Sequence, residues 1–198
     1  MTVIDLLRHG DTGKSGFRGR LDDALTATGW AQMRASAAKG GPWEAIVSSP
    51  LQRCAAFARH LAGALEPRYQ TDSRLQELDF GRWEGMNSEV LMRTHASQLT
   101  QFWEDPRRHP PPEGECLSRF EARVLEALDS LVDRYRGRRI LVITHAGVIR
   151  VLLCRARRQT ADQLLQHDVP HAFLQRLFGW RDAEGRTIIQ EARPKWYR

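Results

Sequence analysis

The run Ile140-Leu141-Val142-Ile143 is apolar at four consecutive positions, so any strand it forms must be buried on both faces. Such strands belong to parallel sheets with helices on either side, and parallel neighbours need a long crossover, usually a helix, between them. The rest of the chain supplies the pieces. Val3 to Leu7 and Ala45 to Ser48 read as two more strands. Thr26 to Lys39 reads as a helix, with Thr26 or Thr28 as its cap and Gly40-Gly41 as its stop, and Leu51 to Leu65 as another, ended near Pro67. From Leu117 to about Tyr135, residues Phe120, Val124, Leu128, Leu131 and Tyr135 recur at helical spacing. Gly147 to Leu153 gives a further helix, and Ala172 to Phe178 and Thr187 to Glu191 are expected as edge strands. The expected fold is α/β, a three-layer α/β/α sandwich around a mostly parallel central sheet.

One stretch departs from this alternation. Met86 to Trp103 has helical character, but Asp105-Pro106-Arg107-Arg108-His109-Pro110-Pro111-Pro112 can be neither helix nor central strand. Residues 86–115 therefore read as a small excursion over the site, within one domain covering 1–198. An apolar fraction of 41% and a charged fraction of 27% suit an ordinary globular chain. No apolar run approaches the ~20 residues of a membrane span, and no secretory signal is visible. Cys54, Cys116 and Cys154 form no C-x-x-C pair, which argues against a disulfide framework or a zinc site and favours a reducing cytoplasm. The net charge of +6 points to an anionic partner. The arginines are dispersed, and their densest groups fall at expected helix ends, so they read as solvated surface rather than a nucleic-acid patch, with no membrane expected; a small phosphorylated substrate would also benefit from the positive field. The oligomeric state stays open, a homodimer included.

Chemistry is concentrated just beyond the strands, where open α/β sheets bind their ligands. Arg8-His9-Gly10 follows the first strand, Ser49-Pro50-Leu51-Gln52-Arg53 the second, and Thr144-His145-Ala146-Gly147 the long apolar run. Glu77 lies in Leu75-Gln76-Glu77-Leu78-Asp79-Phe80-Gly81. An imidazole can accept a phosphoryl group directly, and a neighbouring guanidinium can hold phosphate oxygens in a planar fork. Singly, each residue has an ordinary structural explanation; the four segments together favour a phosphoryl-transfer site.

In this order the four motifs, including Glu77 to Gly85 as Glu-Leu-Asp-Phe-Gly-Arg-Trp-Glu-Gly, resemble the histidine phosphatase superfamily, which also contains cofactor-dependent phosphoglycerate mutases. The resemblance implies a phosphoglycerate mutase-like fold and a phosphohistidine on His9. It also implies phosphate contacts from Arg8, Arg53 and His145, proton transfer by Glu77, and neither metal nor other cofactor. Thr12 and Ser15 are expected to add hydroxyl donors; Ser15 stands where many members carry asparagine. Phe17, Arg18 and Trp83 are candidates for substrate specificity, with Trp103 expected in the core. The form of the Glu77 segment and the length of the chain favour the phosphatase branch over the mutases. Gly16 to Thr26, Gly29 to Arg34, Gly41-Pro42-Trp43 and Pro111-Pro112-Glu113-Gly114-Glu115 are most similar to α-ribazole phosphatases, with Glu113 where they often carry glycine. The implied substrate is α-ribazole 5′-phosphate or the phosphorylated cobamide. The alternatives are a broad-specificity, sugar-phosphate or phosphoserine phosphatase, then a mutase, then a non-catalytic binding protein of the same fold.

Two other readings fail on the residues. Gly13-Lys14-Ser15 suggests the end of a P-loop, but the glycine needed five residues before Gly13 is Arg8. His167 and His171 have the i, i+4 spacing of a metal pair, but Pro170 interrupts the helix they would need. His60, His95 and His109 belong to no constellation and are expected at the surface.

Overall fold

The computed structural model describes residues 1–65 and 67–192; the basic tail, 193–198, lies outside them. The strands are β1 (Thr2–Arg8), β2 (Ala45–Ser48), β3 (Arg68–Thr71), β4 (Arg139–Thr144), β5 (Leu174–Arg181) and β6 (Thr187–Glu191). The helices are α1 (Ala27–Ala37), α2 (Gln52–Leu65), α3 (Ser88–Thr94), α4 (Ala96–Glu104), α5 (Leu117–Arg134) and α6 (Ala146–Arg157). The sheet order is β3-β2-β4-β1-β5-β6. Parallel pairing joins β3 to β2, β2 to β4 and β4 to β1. Antiparallel pairing adds β5 and then β6.

Both faces of the sheet are buried, as its apolar central strand requires. Ile140 and Val142 face a core with Phe120, Val124 and Leu128 of α5 and Val148, Ile149 and Leu152 of α6. Leu141 and Ile143 face the opposite core, with Met33 and Ala37 of α1 and Phe57 and Ala58 of α2. Thr26 caps α1, its hydroxyl accepting from the Gly29 N–H at 3.0 Å.

Two expectations need correction, and one strand was not anticipated. β5 is no edge strand: it lies between β1 and β6, and the edges among the described residues are β3 and β6. The edge strand β3 carries Arg68-Tyr69-Gln70-Thr71, partly or fully exposed, so it has none of the apolar signal that marked β4. The helix expected across Met86–Trp103 is two, broken at His95, where the backbone leaves helical geometry (φ −142°, ψ 36°).

The excursion returns to the main body by backbone pairing. Arg82 N–H donates to Pro112 O at 2.9 Å, and Glu115 N–H to Asp79 O at 2.9 Å. Glu113 takes the left-handed backbone (φ 59°) that its replacement of glycine makes costly, and its carboxylate pairs with Arg82. Among the described residues no helix is long and apolar enough to cross a membrane.

Candidate active site

Register places the chemistry. Arg8 pairs with Thr144 across β1 and β4, and Ser48 with Ile143 across β2 and β4, so three strands end level. His9, Ser49 and His145 therefore leave the sheet side by side. His9 N–H donates to Thr144 O at 3.0 Å, and Ser49 N–H to Ile143 O at 2.9 Å.

The protein fixes the tautomer of His9. Its Nδ1 lies 2.8 Å from Gly10 O, and a carbonyl can only accept, so Nδ1 carries the proton and Nε2 keeps the lone pair. Burial, with the charges of Arg53 and Arg8 behind it, pushes the pKa of this imidazole well below its usual range. The ring is consequently neutral near pH 7, as a nucleophile must be.

His145 is held differently. Arg53 Nε–H donates to its Nδ1 at 3.2 Å, so Nε2 bears the proton and donates to Ser49 Oγ at 2.8 Å. The ring is fully buried and stands edge-on to His9, with centroids 5.3 Å apart. Burial first, then Arg53, pushes its pKa well down. Both ring nitrogens thus have protein partners, and His145 can reach a phosphoryl oxygen only by releasing one of them.

Arg53, completely buried, does more than line the site. Its guanidinium donates to Leu21 O at 2.6 Å, Gly19 O at 2.8 Å and Arg18 O at 3.1 Å, binding the loop after β1 to the helix start. The same loop is gripped from the other side by Glu84, which the sequence did not single out. Its carboxylate accepts from the N–H groups of Arg20 at 2.8 Å, Gly19 at 3.1 Å, Phe80 at 3.1 Å and Leu21 at 3.3 Å. A Cβ on Gly19 would fall 2.0 Å from Leu78 O, so only glycine allows this approach.

Arg8 donates to Val169 O at 2.6 Å, while its Nε is buried without a hydrogen-bond partner. An unpaired buried guanidinium N–H in a cavity wall is the donor an incoming anion would satisfy. Glu77 is held by two amides, accepting from Gly147 N–H at 3.0 Å and Leu78 N–H at 3.1 Å. Its segment is braced from behind by Arg123, another residue missed in the sequence. Arg123 donates to the carbonyls of Arg74 and Gln76, both at 2.7 Å, and of Glu77 at 2.9 Å, while paired with Glu115 at 2.7 Å.

These groups meet in a cavity of about 390 Å³ lined by Arg8, His9, Thr12, Arg53 and Glu77. Phe17, Phe80, Phe102, Trp103, Leu164 and Leu165 form its apolar wall. Thr12 and Arg18 line it. Ser15 is exposed and does not. Trp83 is not a wall either: it is buried behind Phe17 and Phe102, with ring centroids at 5.8 and 5.4 Å. Trp103, expected in the core, is 44% exposed at the cavity rim. Lys14, Arg150 and His171 also line the cavity, unanticipated. Among the described residues, no group of three or more His, Cys, Asp or Glu side chains is placed to hold a metal ion.

Fold and cavity together define a phosphoglycerate mutase-like α/β protein. The chain belongs to the histidine phosphatase superfamily (branch 1), whose family model matches residues 4–188. It is 37% identical over 159 residues to a bifunctional protein of Mycobacterium tuberculosis, covering 77% of this chain but only 43% of that relative. It is 32% identical to a 2,3-bisphosphoglycerate-dependent phosphoglycerate mutase of Rhizobium etli, over 87% of this chain and 88% of the mutase. Chain length therefore does not separate mutase from phosphatase here. Among solved structures it superposes on the YhfR protein of Bacillus stearothermophilus with a TM-score of 0.86 at 25% identity, covering 97% and 96% of the two chains. An α-ribazole phosphatase of Shigella flexneri shares the fold, with a TM-score of 0.82 at 22% identity, over 96% and 94%.

Proposed function

We propose that this chain is a metal-independent phosphomonoesterase working through a phosphohistidine on His9. The observation that carries the reading is the neutral, Nδ1-protonated His9 ring in one cavity with the unpaired Arg8 Nε–H and the Glu77 carboxyl. His9 Nε2 attacks phosphorus and the bond to the leaving oxygen breaks; protonated Glu77 gives that oxygen its proton. Glu77, now a carboxylate, takes a proton from water, whose oxygen attacks phosphorus and breaks the P–N bond. Phosphate leaves and His9 is restored. Arg8, with Arg53, His145 and Thr12 around it, stabilises the charge that develops on the phosphoryl oxygens.

The substrate we propose is α-ribazole 5′-phosphate or the phosphorylated cobamide. The apolar wall supports this, since aromatic faces suit a flat benzimidazole better than a small polar alcohol. The partner in this reading is that small anion, without nucleic acid or membrane. A mutase is the second reading, favoured by the Rhizobium relative. It requires phospho-His9 to pass its group to a second hydroxyl rather than to water.

Phosphate release is measured from α-ribazole 5′-phosphate, phosphoserine, a sugar phosphate, 3-phosphoglycerate and a generic aryl phosphate, with a chelator present and His9→Ala alongside. Fast, chelator-insensitive release from the first substrate, lost in the variant, is expected. Equal rates across the panel would remove the α-ribazole assignment and keep the mechanism. Isomerisation of 3-phosphoglycerate in place of phosphate release would establish the mutase. Full activity in His9→Ala would end the phosphohistidine reading.

A further inference from the structure

Three imidazoles cluster at this cavity, His9 and His171 on its wall and His145 fully buried and edge-on to His9, and they differ in what they have left to offer. His9 keeps one free nitrogen, the attacking Nε2. His145 keeps none. His171 keeps both, since neither of its ring nitrogens is hydrogen-bonded to a described residue. Yet its ring lies 5.7 Å from that of His9, close to the His145 separation of 5.3 Å, and it lines the same cavity.

The backbone puts His171 there at some cost. Ala172 adopts a left-handed conformation (φ 56°), uncommon for a residue with a side chain. That conformation directs the Ala172 N–H to His9 O at 3.2 Å, and Phe173 N–H to Pro170 O at 3.1 Å. Arg8 N–H then donates to Phe173 O at 3.0 Å, so the turn carrying His171 is fastened to both residues of the Arg8-His9 pair. An exposed histidine with no bond of its own gains nothing structural from this arrangement.

We infer that His171 binds the phosphoryl group, donating a ring N–H to one of its oxygens while phosphorus is transferred to and from His9. This rests on the phosphohistidine reading above and adds His171 to the donors placed there around the phosphoryl group, Arg8, Arg53, His145 and Thr12. His145 joins them by releasing one of its two partners, whereas His171 has none to release among the described residues. The charged and titratable groups around His171 are Arg8 and His9 at the end of β1, Asp11 in the following loop, and Lys14 and Arg150 across the cavity. In the free protein, burial and then Arg8 lower its pKa, against the opposing pull of Asp11. A bound phosphoryl group adds negative charge and reverses the balance, so the ring gains a proton as the site fills.

The test uses orthovanadate as a phosphoryl mimic, with the wild type, His171→Ala, His171→Gln and, as the control for the parent reading, His9→Ala. His171→Ala is expected to weaken vanadate inhibition about 10- to 100-fold, the loss of one hydrogen bond to a charged group. His171→Gln, which keeps an N–H donor, is expected to recover most of it. In ¹³C-histidine-labelled wild type, the His171 resonance is expected to titrate at higher pH with vanadate than without. Vanadate affinity within twofold of wild type in His171→Ala, or a His171 titration that vanadate leaves in place, would overturn the inference alone. Unimpaired turnover by His9→Ala would overturn the parent reading and this inference with it.

Discussion

At the scale of single residues, the site depends on short approaches between backbone and side chain. Gly147 is the clearest case. It is the second residue of α6, where alanine is ordinarily preferred by about 1 kcal/mol. A Cβ there would lie 2.2 Å from Glu77 Oε1, so the carboxyl could not keep its bond to the Gly147 N–H. Gly147→Ala is therefore expected to fold as stably as wild type, within about 1 kcal/mol by urea denaturation. Its turnover of an alkyl phosphate, whose leaving oxygen needs a proton, should fall about 100-fold or more. An aryl phosphate leaves without that help. Stopped-flow should then show a burst of phenol stoichiometric with enzyme, followed by slow release, because the water activation proposed for Glu77 stays impaired. Loss of stability instead of this kinetic split would mean that Gly147 serves packing alone.

At the scale of elements, α4 sets two adjacent residues of the cavity wall at different depths. Phe102 is buried against Phe17 and Trp83, while the next residue, Trp103, stands at the cavity rim. Phe102→Ala is expected to cost about 3–4 kcal/mol of stability. Trp103→Ala should leave stability nearly unchanged and raise KM for an aromatic phosphate about 3- to 10-fold, with little change for a small polar one. Thermal melts and the two KM values check this together. The contrast also shows what the sequence could convey. β4 and α5 were legible because burial on both faces and a helical apolar stripe are properties of the local string. His9, Arg53 and His145 could be singled out because each follows an element end that could be located, and Glu77 because it opens the Glu77 to Gly85 motif. Trp103 was misplaced because side-chain direction beside a helix break is set by what lies opposite, and no local period records it. Glu84, Arg123 and His171 were missed for a related reason. Their roles consist of contacts with loops 46–162 residues away in the chain, and neither a charge nor a histidine announces such a partner.

At the scale of the whole molecule, placing neutral imidazoles beside arginines links folding to pH. The pKa values of His9 and His145 are pushed well below 6.5 by burial and by Arg53, and those of His167 and His171 are also lowered. In the unfolded chain these rings recover their ordinary pKa of about 6.5. Below that pH the unfolded state binds protons that the native state refuses, so stability falls as pH falls and is fully present above it. Each fully suppressed histidine contributes a slope of about 1.4 kcal/mol per pH unit between its unfolded and folded values. The carboxylates with lowered values, such as Asp11 beside the Thr26 hydroxyl and Asp72 beside Arg74, titrate in the unfolded chain near 3.9. Their contribution is lost only at lower pH, which leaves the window from about 4.5 to 6.5 chiefly to the histidines. Urea unfolding across that window should give wild-type stability that declines steeply toward acid, by about 2–3 kcal/mol per pH unit at the lower end from His9 and His145 together. His9→Asn removes one of these groups and should flatten the slope by about 1.4 kcal/mol per pH unit, whatever it does to stability at pH 7.5. An unchanged slope in His9→Asn would mean that the buried ring takes up its proton in the native state, and the neutral nucleophile on which the mechanism depends would be lost.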